Sequence, residues 1–531
     1  MNHISIAAEN SSRKDITRRL TGRFYTPPNI CAEMVRQLTD GDIQPRTVAD
    51  PFCGDGRFVL AWLGHARANR PASLKRLERI LLWDCDPDAV EVAQRSVCAA
   101  FQRLGLRRGK VDANVRDTFS SFMEETRSVD LILTNPPWEL LKPDSRDLIS
   151  SESMQDYKDS LRRYSSQLDR SLPGAASQKQ KIMGGASVNL ARAGAVACAM
   201  LLSSRSSMGI VLPASIFADQ ASAPFRREFF RMVNVRKMQY FPAESRAFDD
   251  VDQPFVTVIC DGCGPTQQFS LETFGTRDGN RLVSADVSGI RPVSFVISSS
   301  QAEILESLEK SHPPLRMLEW DMRFGLWLGR ELDETRISES FSHEGIPFLK
   351  GRQVDRFSIR PHVPPLVAPQ QRNIPATIQE ERIAWRDVSR PNQKRRMQAT
   401  CIPKGWVTGN SLGVGYFRYR GRKHLLALLG VLNSLVFEVQ LRAKLHTPHV
   451  SLGVLRECPI PWQVFEDSRL LDDVVNSVEI VLRTPSFEAE ASLERQIARA
   501  YGLDIRRFRD LLKAFPKLSN LEYDLLATED T

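Results

Sequence analysis

The chain has 531 residues and a mass of 60.0 kDa, which is too long for one compact core, since domains usually contain ~100–200 residues. Hydrophobic residues make up 42% and charged residues 26%, a balance that excludes wholesale disorder, collagen and coiled coil. No window approaches the ~20 uncharged apolar residues of a membrane span, and the start, MNHISIAAENSSRKD, lacks a signal-peptide core. The nine cysteines follow no disulfide spacing, so we expect free thiols, a cytoplasmic protein and no membrane partner.

Positive charge exceeds negative charge. The 72 Lys and Arg residues against 64 Asp and Glu give a formal net charge of +8 and a pI near 9.0. This excess favours an anionic partner without naming it.

From about residue 21 to residue 296, short apolar runs alternate with longer helical patterns. Such alternation predicts an α/β fold, a Rossmann-like doubly wound parallel sheet covered by helices. The predicted strands are TVAD, ERILLWDCD, VDLILTNPP, MGIVLPASIF and FVTVICDG. Among the predicted helices, DPDAVEVAQRSVCAAFQRLG starts with a capping Asp and a proline in the first turn. Ligands of such sheets bind beyond the carboxyl ends of the strands, so chemistry is expected just after each strand.

Two adjacent prolines in SHPPL follow the helical run QAEILESLEK and predict a domain boundary. We therefore predict an N-terminal arm (1–20), a first domain (21–311) and a mixed α/β second domain (312–531). In the second domain, KHLLALLGVLNSLVFEVQLRAK and ASLERQIARAYGLDIRRFRDLLKAF have helical patterns.

The strand TVAD leads into DPFCGDGRF, a turn with Gly54 and Gly56. Glycines let the backbone turn tightly and lie close against a ligand at the sheet edge, although an ordinary strand-to-helix turn has the same pattern. A phosphate loop is disfavoured because the GK[ST] ending is missing. One strand later, LLWDCD ends in acids, and an acid at the position of Asp84 commonly binds ribose hydroxyls. Asp86 or Asp88 fits better as a cap of the next helix.

A further apolar strand ends in Asn135, Pro136, Pro137 and Trp138. The two prolines fix φ and remove two backbone donors, so the carbonyls and the Asn135 side chain face outward as acceptors. This arrangement suits an exocyclic amine, because accepting both of its hydrogens would make the nitrogen more nucleophilic. Trp138 would stack on the face of the base.

These three motifs, preceded by Gly22-Arg23-Phe24-Tyr25-Thr26-Pro27-Pro28, resemble the class I S-adenosylmethionine-dependent amino-methyltransferases. The resemblance is to the TaqI-like branch of DNA adenine-N6 methyltransferases, in the gamma order of motifs, and it covers most of the chain. It implies a methyltransferase domain at 21–311, S-adenosyl-L-methionine as cofactor and double-stranded DNA as substrate. The residues that it implies for cofactor binding are Tyr25, Thr26, Pro27, Asp50, Phe52, Gly54, Gly56, Asp84, Asp117 and Phe119. Of these, Asp117 has a neighbouring alternative in Asp112.

The same resemblance implies that the target adenine leaves the duplex and is held between aromatic or apolar groups. Asn135, Pro136, Pro137 and Trp138 are then catalytic, and Trp138 forms one wall for the base. Phe248 is the candidate for the other wall, with a place in the hydrophobic core as the alternative.

The second domain resembles the target-recognition domain of this branch through FLKGR, Asn433-Ser434 and CPIP. Between these signatures, basic residues alternate with aromatic ones, a mixture that suits contacts with phosphates and bases. The residues predicted to contact DNA are Lys350, Arg352, Arg395, Arg396, Lys404 and Arg420.

No metal site is predicted. Cys260 and Cys263 form a single CxxC without a second pair, and His446 and His449 lack a third ligand.

The sequence thus predicts a site-specific DNA adenine-N6 methyltransferase, the modification enzyme of a restriction-modification or phage-defence system. It implies a separate restriction endonuclease and a second methyltransferase as partners. Few residues precede the first motif, which disfavours a fused nuclease. The alternatives are an RNA or protein-glutamine methyltransferase, or a DNA specificity subunit without catalytic activity.

Overall fold

The computed structural model describes residues 25–38, 43–106, 109–141, 151–175, 188–248, 253–275, 280–295, 298–332, 341–342, 345–360, 366–367, 374–445 and 447–528. The chain forms two compact units, Met1–Val293 (unit 1) and Ser294–Thr531 (unit 2). The predicted arm 1–20 and Gly22–Phe24 lie outside the described residues. The boundary precedes the predicted one at residue 312, because Ile304 and Leu308 of helix Ser299–Ser311 pack into the core of unit 2.

Unit 1 contains a sheet that has nine strands in the described part of the chain. They are β1 (Thr47–Asp50), β2 (Arg79–Asp84), β3 (Lys110–Val115), β4 (Val129–Thr134), β5 (Leu202–Pro213), β6 (Asn234–Phe241), β7 (Phe255–Asp261), β8 (Gln268–Thr273) and β9 (Arg281–Ser284). Their order is β3, β2, β1, β4, β5, β7, β6, β8, β9. All five predicted strands are present, while β3, β6, β8 and β9 were not predicted.

The sheet is mixed rather than wholly parallel. The neighbouring strands β3, β2, β1, β4 and β5 are parallel to one another. Strand β7 runs antiparallel to its neighbours β5 and β6, and β9 runs antiparallel to β8. The described part of the connection from β6 to β7 holds the short 3₁₀ turn Ala243–Ser245, and antiparallel neighbours such as β6 and β7 need no crossover helix. The predicted strand FVTVICDG is therefore β7, but its direction differs from the prediction.

Helices cover this sheet. They are α1 (Pro28–Leu38), α2 (Arg57–Asn69), α3 (Pro71–Leu74), α4 (Pro87–Arg103), α5 (Thr118–Ser121), α6 (Ser151–Ser171), α7 (Leu190–Leu201), α8 (Ser215–Ala218) and α9 (Ala223–Met232). Buried residues of α1, α2 and α4 share one core cluster, while α7 packs against β5 and α9. The predicted start of α4 is confirmed: Asp86 accepts from the backbone N–H of Asp88 at 3.2 Å and Pro87 opens the helix.

Unit 2 combines short strands with helices. The strands are β10 (Leu326–Gly329), β11 (Phe341–Ser342), β12 (Ile346–Leu349), β13 (Val354–Asp355), β14 (Ser358–Ile359), β15 (Leu366–Val367), β16 (Arg382–Arg386), β17 (Ala399–Ile402), β18 (Val407–Thr408) and β19 (Leu412–Phe417). The helices are α10 (Ser299–Ser311), α11 (Arg316–Trp320), α12 (Arg422–Asn433), α13 (Leu435–Lys444), α14 (Leu452–Arg456), α15 (Gln463–Glu466), α16 (Ser468–Arg483), α17 (Phe487–Ala500), α18 (Ile505–Leu512) and α19 (Asn520–Ala527). The mixed α/β second domain is thus observed.

The late helical patterns are each interrupted once. The first divides into α12 and α13, which meet at 58°, because the Ser434 side chain caps α13 by accepting from Phe437 N at 3.2 Å. The second divides into α17 and α18 around Gly502, whose φ of +72° leaves the helical region. No single described helix is long and apolar enough to cross a membrane; α12 and α13 together pass that test, and most of their residues are buried inside unit 2.

Candidate active site

Four neighbouring strands place polar side chains at one edge of the sheet. Asp50 ends β1, Asp84 ends β2, Asp117 follows β3 and Asn135 follows β4. Because β3, β2, β1 and β4 are adjacent and parallel, their carboxyl ends meet at this edge. Motifs that are far apart in the sequence therefore form one candidate site.

The glycine turn adopts the backbone that only glycine takes easily. Gly54 and Gly56 have φ values of +48° and +81°, in the left-handed region. A Cβ added to Gly54 would lie 2.9 Å from Cε1 of Tyr25, so the turn and the segment before α1 touch here. The backbone N–H of Gly54 donates to Asp84 Oδ2 at 2.9 Å, which ties the turn to the end of β2.

Asp50 is fully buried beneath the turn. Its Oδ1 accepts from Thr134 Oγ1 at 2.6 Å and from Phe52 N at 3.3 Å, while Oδ2 is enclosed without a hydrogen-bond partner among the described residues. Burial raises the pKa of this carboxyl to about 7, partly opposed by the hydrogen bonds. A cationic ligand beside this carboxyl would therefore stabilise its ionised form.

Asp117 lies in a partly enclosed position with an additional neighbour, Tyr164. The Asp117 carboxylate accepts from Phe119 N at 3.0 Å and from the Tyr164 hydroxyl at 3.0 Å. Burial raises its pKa despite these hydrogen bonds. The alternative acid, Asp112, lies within β3 and pairs with Arg79 at 2.7 Å. Of Asp112 and Asp117, Asp117 is therefore the one at the sheet edge. Tyr164 was not predicted from the sequence, because α6 brings it to Asp117 from a distant part of the chain.

Two aromatic rings lie close together at the sheet edge. The rings of Phe52 and Phe119 lie 5.4 Å apart, one from the glycine turn and one from the short helix after Asp117. A Cβ added to Gly194 of α7 would lie 3.3 Å from Phe52 and 2.5 Å from Pro136 Cβ. Helix α7 thus supports both the turn after β1 and the turn after β4.

The turn after β4 is fixed by neighbours on both sides. Asn135 Nδ2 donates to the hydroxyl of buried Thr26 at 3.1 Å. Beyond the prolines, the chain pairs with the start of α7, where Leu190 N donates to Glu139 O at 2.8 Å. The segment before α1 continues through Pro27, whose carbonyl accepts from Ile30 N at 3.0 Å. The Asn135 side chain is therefore held by a residue that the sequence assigned to the cofactor.

Phe248 does not form a second wall opposite Trp138. Its ring lies 5.8 Å from that of Trp138 in an edge-to-face arrangement and 4.8 Å from that of Phe255. Phe248 is also 5% exposed and belongs to the core cluster of unit 1. Because the two rings touch, no base fits between them in this arrangement, and the core alternative describes Phe248 better.

The predicted DNA-contacting residues separate into two groups. Arg352, Lys404 and Arg420 are exposed, and Lys350 is half-buried. Arg395 and Arg396 are only 8% and 2% exposed. The structure contradicts the prediction for these two, because their guanidinium groups are enclosed by acids and carbonyls of the protein itself.

Arg395 pairs with two buried carboxylates, Glu438 at 2.8 Å and Glu494 at 3.1 Å. Arg396 donates to the carbonyls of Leu445 and Thr447 at 2.6 and 2.5 Å. Both arginines therefore stabilise the interior of unit 2.

Within the described residues, no group of three or more His, Cys, Asp or Glu side chains is arranged to hold a metal ion.

Comparisons with known proteins find similar sequences and a similar fold. Residues 14–161 match the family model described as N-6 DNA Methylase. The chain is 31% identical over 142 residues to the Type II methyltransferase M.VspI of Vibrio sp. (strain 343), covering 26% of this chain and 31% of that one. It is 28% identical over 116 residues to the 23S rRNA (uracil(747)-C(5))-methyltransferase RlmC of Vibrio vulnificus (strain YJ016), covering 22% and 26%.

The chain thus spans less than a third of the length of these curated relatives. Among solved structures, the Type IIL restriction-modification enzyme MmeI in complex with DNA has a TM-score of 0.50 at 12% identity, over 93% of this chain and 75% of that one. This likeness concerns the fold. Unit 1 therefore has a Rossmann-like α/β fold, and residues 14–161 are similar to the N-6 DNA methylase family.

Proposed function

We propose that the chain is a site-specific DNA adenine-N6 methyltransferase that uses S-adenosyl-L-methionine. The observation that carries this proposal is the placement of the Asn135-Pro136 turn at the sheet edge, beside the glycine turn and three acids, in a domain similar to the N-6 DNA methylase family. Acceptors at this position fit an amine as the group that reacts.

The residues at the edge fit the proposed cofactor. The enclosed, partnerless Oδ2 of Asp50 suits a cationic ammonium group, and the glycine turn leaves room that a Cβ would fill. The acids that follow β2 and β3 suit ribose hydroxyls and the adenine amine, while Phe52 and Phe119 offer apolar faces. When bound, the cofactor supplies an electrophilic methyl group.

The chain's own contribution is to hold and orient the amine. The Oδ1 of Asn135 and the carbonyl of Pro136 would each accept one N–H of the target amine, which directs the nitrogen lone pair toward the methyl group. Trp138, half-exposed beside the turn, would stack on the extruded base. The proton leaves the nitrogen after transfer, and no covalent bond to the enzyme is needed.

Unit 2 would supply DNA contacts through its exposed cations. The exposure of Arg352, Lys404 and Arg420 supports contacts of these residues with phosphates or base edges, in contrast to the buried Arg395 and Arg396. A separate restriction endonuclease and a second methyltransferase for the other strand are the proposed partners, within a restriction-modification or phage-defence system.

The direct test is transfer of labelled methyl from S-adenosylmethionine to unmethylated plasmid DNA, followed by nucleoside analysis. We expect N6-methyladenine. Parallel reactions with unmodified ribosomal RNA and with a protein extract test the alternative substrates. Label in RNA or protein with none in DNA would contradict the proposal.

We expect Gly54→Val to weaken cofactor binding by more than about tenfold, since a side chain in the left-handed region costs ~1–2 kcal/mol. Its Cβ would also push into the Tyr25 ring, 2.9 Å away. Calorimetric titration with S-adenosylhomocysteine measures the affinity. Gly64→Val is the matched control, because nothing lies within 4 Å of a Cβ at Gly64 in α2. Unchanged affinity in Gly54→Val would argue against the cofactor role of this turn.

Asp50→Asn should separate stability from cofactor binding. Burial raises the pKa of Asp50 from 3.8 to about 7. Between pH 3.8 and about pH 7 the folded state therefore binds one more proton than the unfolded state does. The contribution of this carboxyl to the stability of the fold consequently falls as the pH rises through that range. At pH 8 we expect Asp50→Asn to have a higher Tm than the wild type, and at pH 4 a similar Tm. Its affinity for S-adenosylmethionine should fall about tenfold at pH 8, because the ammonium loses an anionic partner. A Tm difference that is independent of pH would contradict this assignment.

A further inference from the structure

Arg57 follows the glycine turn and has no role in the function proposed above. Its Nε and Nη2 donate to the two carboxylate oxygens of Asp55, at 2.9 and 2.6 Å. Its Nη1 donates to the backbone carbonyl of Thr26 at 2.5 Å. The guanidinium also lies over the ring of Tyr25, with Cζ 4.8 Å from the ring centroid. One side chain therefore fastens the segment before α1 to the glycine turn.

Thr26 extends this connection to the turn after β4. Its side-chain hydroxyl accepts from Asn135 Nδ2 at 3.1 Å, and the residue is 2% exposed. Asp55, Arg57, Thr26 and Asn135 thus form a continuous chain of hydrogen bonds, here called the Arg57 bridge. It joins three segments that are separated by up to 109 positions in the sequence.

We propose that Arg57 is a positioning residue for methyl transfer, which acts through Thr26 on the orientation of the Asn135 amide. This inference rests on the proposed function. The terminal torsion of an Asn side chain has two broad orientations, which exchange its oxygen and nitrogen. Donation from Nδ2 to Thr26 selects the orientation in which Oδ1, and not Nδ2, would face the target amine. The opposite orientation would present an N–H to an amine that must itself donate.

Arginine suits this position better than lysine would. A guanidinium has five donors in a rigid plane, so it can pair with both oxygens of Asp55 and still donate to Thr26 from its third nitrogen. An ammonium group is a single centre and cannot span both partners in this geometry. The Asp55 carboxylate raises the pKa of Arg57 and balances its charge. All three guanidinium nitrogens are engaged within the protein, which favours a geometric role over direct binding of a cofactor carboxylate.

The test compares turnover with cofactor affinity in Arg57→Lys. We expect kcat to fall at least about tenfold, as small misplacements of reacting groups can reduce rates up to about a hundredfold. The dissociation constant of Arg57→Lys for S-adenosylhomocysteine should stay within about threefold of the wild-type value. Thr26→Val should lower kcat to an extent similar to that in Arg57→Lys, and Thr26→Ser should recover most of that loss. The double variant should be no slower than the slower single one, because both changes break the same connection.

Thr266→Val is the matched control for loss of a buried threonine hydroxyl. Thr266 Oγ1 donates to Val233 O at 2.6 Å and accepts from Val235 N at 2.9 Å, in the same unit but in no contact with the bridge. This variant should lose stability while the kcat of the folded fraction is unchanged. A similar loss of kcat in Thr266→Val would show that the bridge variants act through general destabilisation.

A second readout needs no turnover. Without the guanidinium, the segment before α1 loses its hydrogen bond to the glycine turn and keeps the one from Asn135, so Arg57→Lys should increase hydrogen exchange at the first amides of α1 at least about tenfold in the free protein. Unchanged exchange would overturn the proposal, as would a fall in cofactor affinity equal to the fall in kcat. An inactive wild type that still shows the exchange difference would count against the proposed substrate and would support the positioning role of Arg57.

Discussion

Asn135→Ala is expected to lower kcat for DNA methylation by about a thousandfold or more while leaving cofactor affinity nearly unchanged. The substitution removes the side-chain acceptor for the target amine, and loss of one preorganised hydrogen-bonding group at a reacting centre costs about 10²–10³ in rate. The amide also loses its hydrogen bond to Thr26, so the turn after β4 is less well fixed. The cofactor contacts proposed for Asp50, Asp84 and Asp117 do not involve this side chain.

Labelled methyl transfer and titration with S-adenosylhomocysteine measure the two quantities on the same preparation. Asn189→Ala is the matched control, because Asn189 caps α7 beside the same turn, with Oδ1 accepting from Arg192 N at 3.2 Å. Loss of this cap should cost about 1 kcal/mol of stability without abolishing transfer. Methylation by Asn135→Ala at a rate near that of the wild type would refute the catalytic role.

Local patterns predicted the central strands and the site at their carboxyl ends. Strands β1, β2 and β4 are nearly continuous apolar runs, as expected when both faces of a parallel sheet are covered. The glycine turn and the Asn-Pro-Pro turn follow directly from these strands, so the ends of the predicted strands determine where both turns lie. The same logic identified Asp84 at the end of β2, whereas Asp117 was implied only by the family resemblance, because β3 was not predicted.

Other elements depend on partners that are distant in the sequence. Strand β6 contains Arg236 and Lys237, and two adjacent charged residues do not indicate a strand in the sequence. In the structure, Arg236 pairs with Asp261 at 3.2 Å and Lys237 with Glu272 at 2.6 Å, both on neighbouring strands. The contacts of Arg57 and Tyr164 are likewise set by tertiary structure. Arg57 follows the glycine turn directly in the sequence, but spacing alone could not show that its guanidinium reaches Thr26 or that Tyr164 reaches Asp117.

Arg395 shows most clearly how a surface interpretation can fail. A basic residue among aromatic ones suggests contact with a nucleic acid, but the acids that enclose Arg395 lie 43 and 99 positions away. Asn433 adds a backbone carbonyl acceptor at the end of α12. Burial of a charged residue is decided by such long-range neighbours, which no local composition reveals.

Arg395→Met is therefore expected to destabilise unit 2 rather than to weaken DNA binding selectively. The substitution would leave Glu438 and Glu494 enclosed with less positive charge, and removing one partner of a buried ion pair typically costs about 3–5 kcal/mol. Arg442 still contacts Glu438 at 2.8 Å and Arg356 contacts Glu494 at 3.4 Å, which favours the lower part of that range. Chemical denaturation of the wild type and the variant measures the loss.

Lys404→Met is the matched control, since Lys404 is an exposed cation for which a DNA contact is still proposed. It should leave the free energy of unfolding within about 0.5 kcal/mol of the wild-type value, and it should weaken DNA binding and reduce the salt dependence of that binding. In Arg395→Met, we expect the folded fraction to bind DNA with nearly the wild-type salt dependence, because a buried guanidinium releases no counterions on binding. If Arg395→Met instead kept its stability and lost DNA affinity with a shallower salt slope, Arg395 would have to reach the DNA, and its buried ion pairs would not describe the protein in solution.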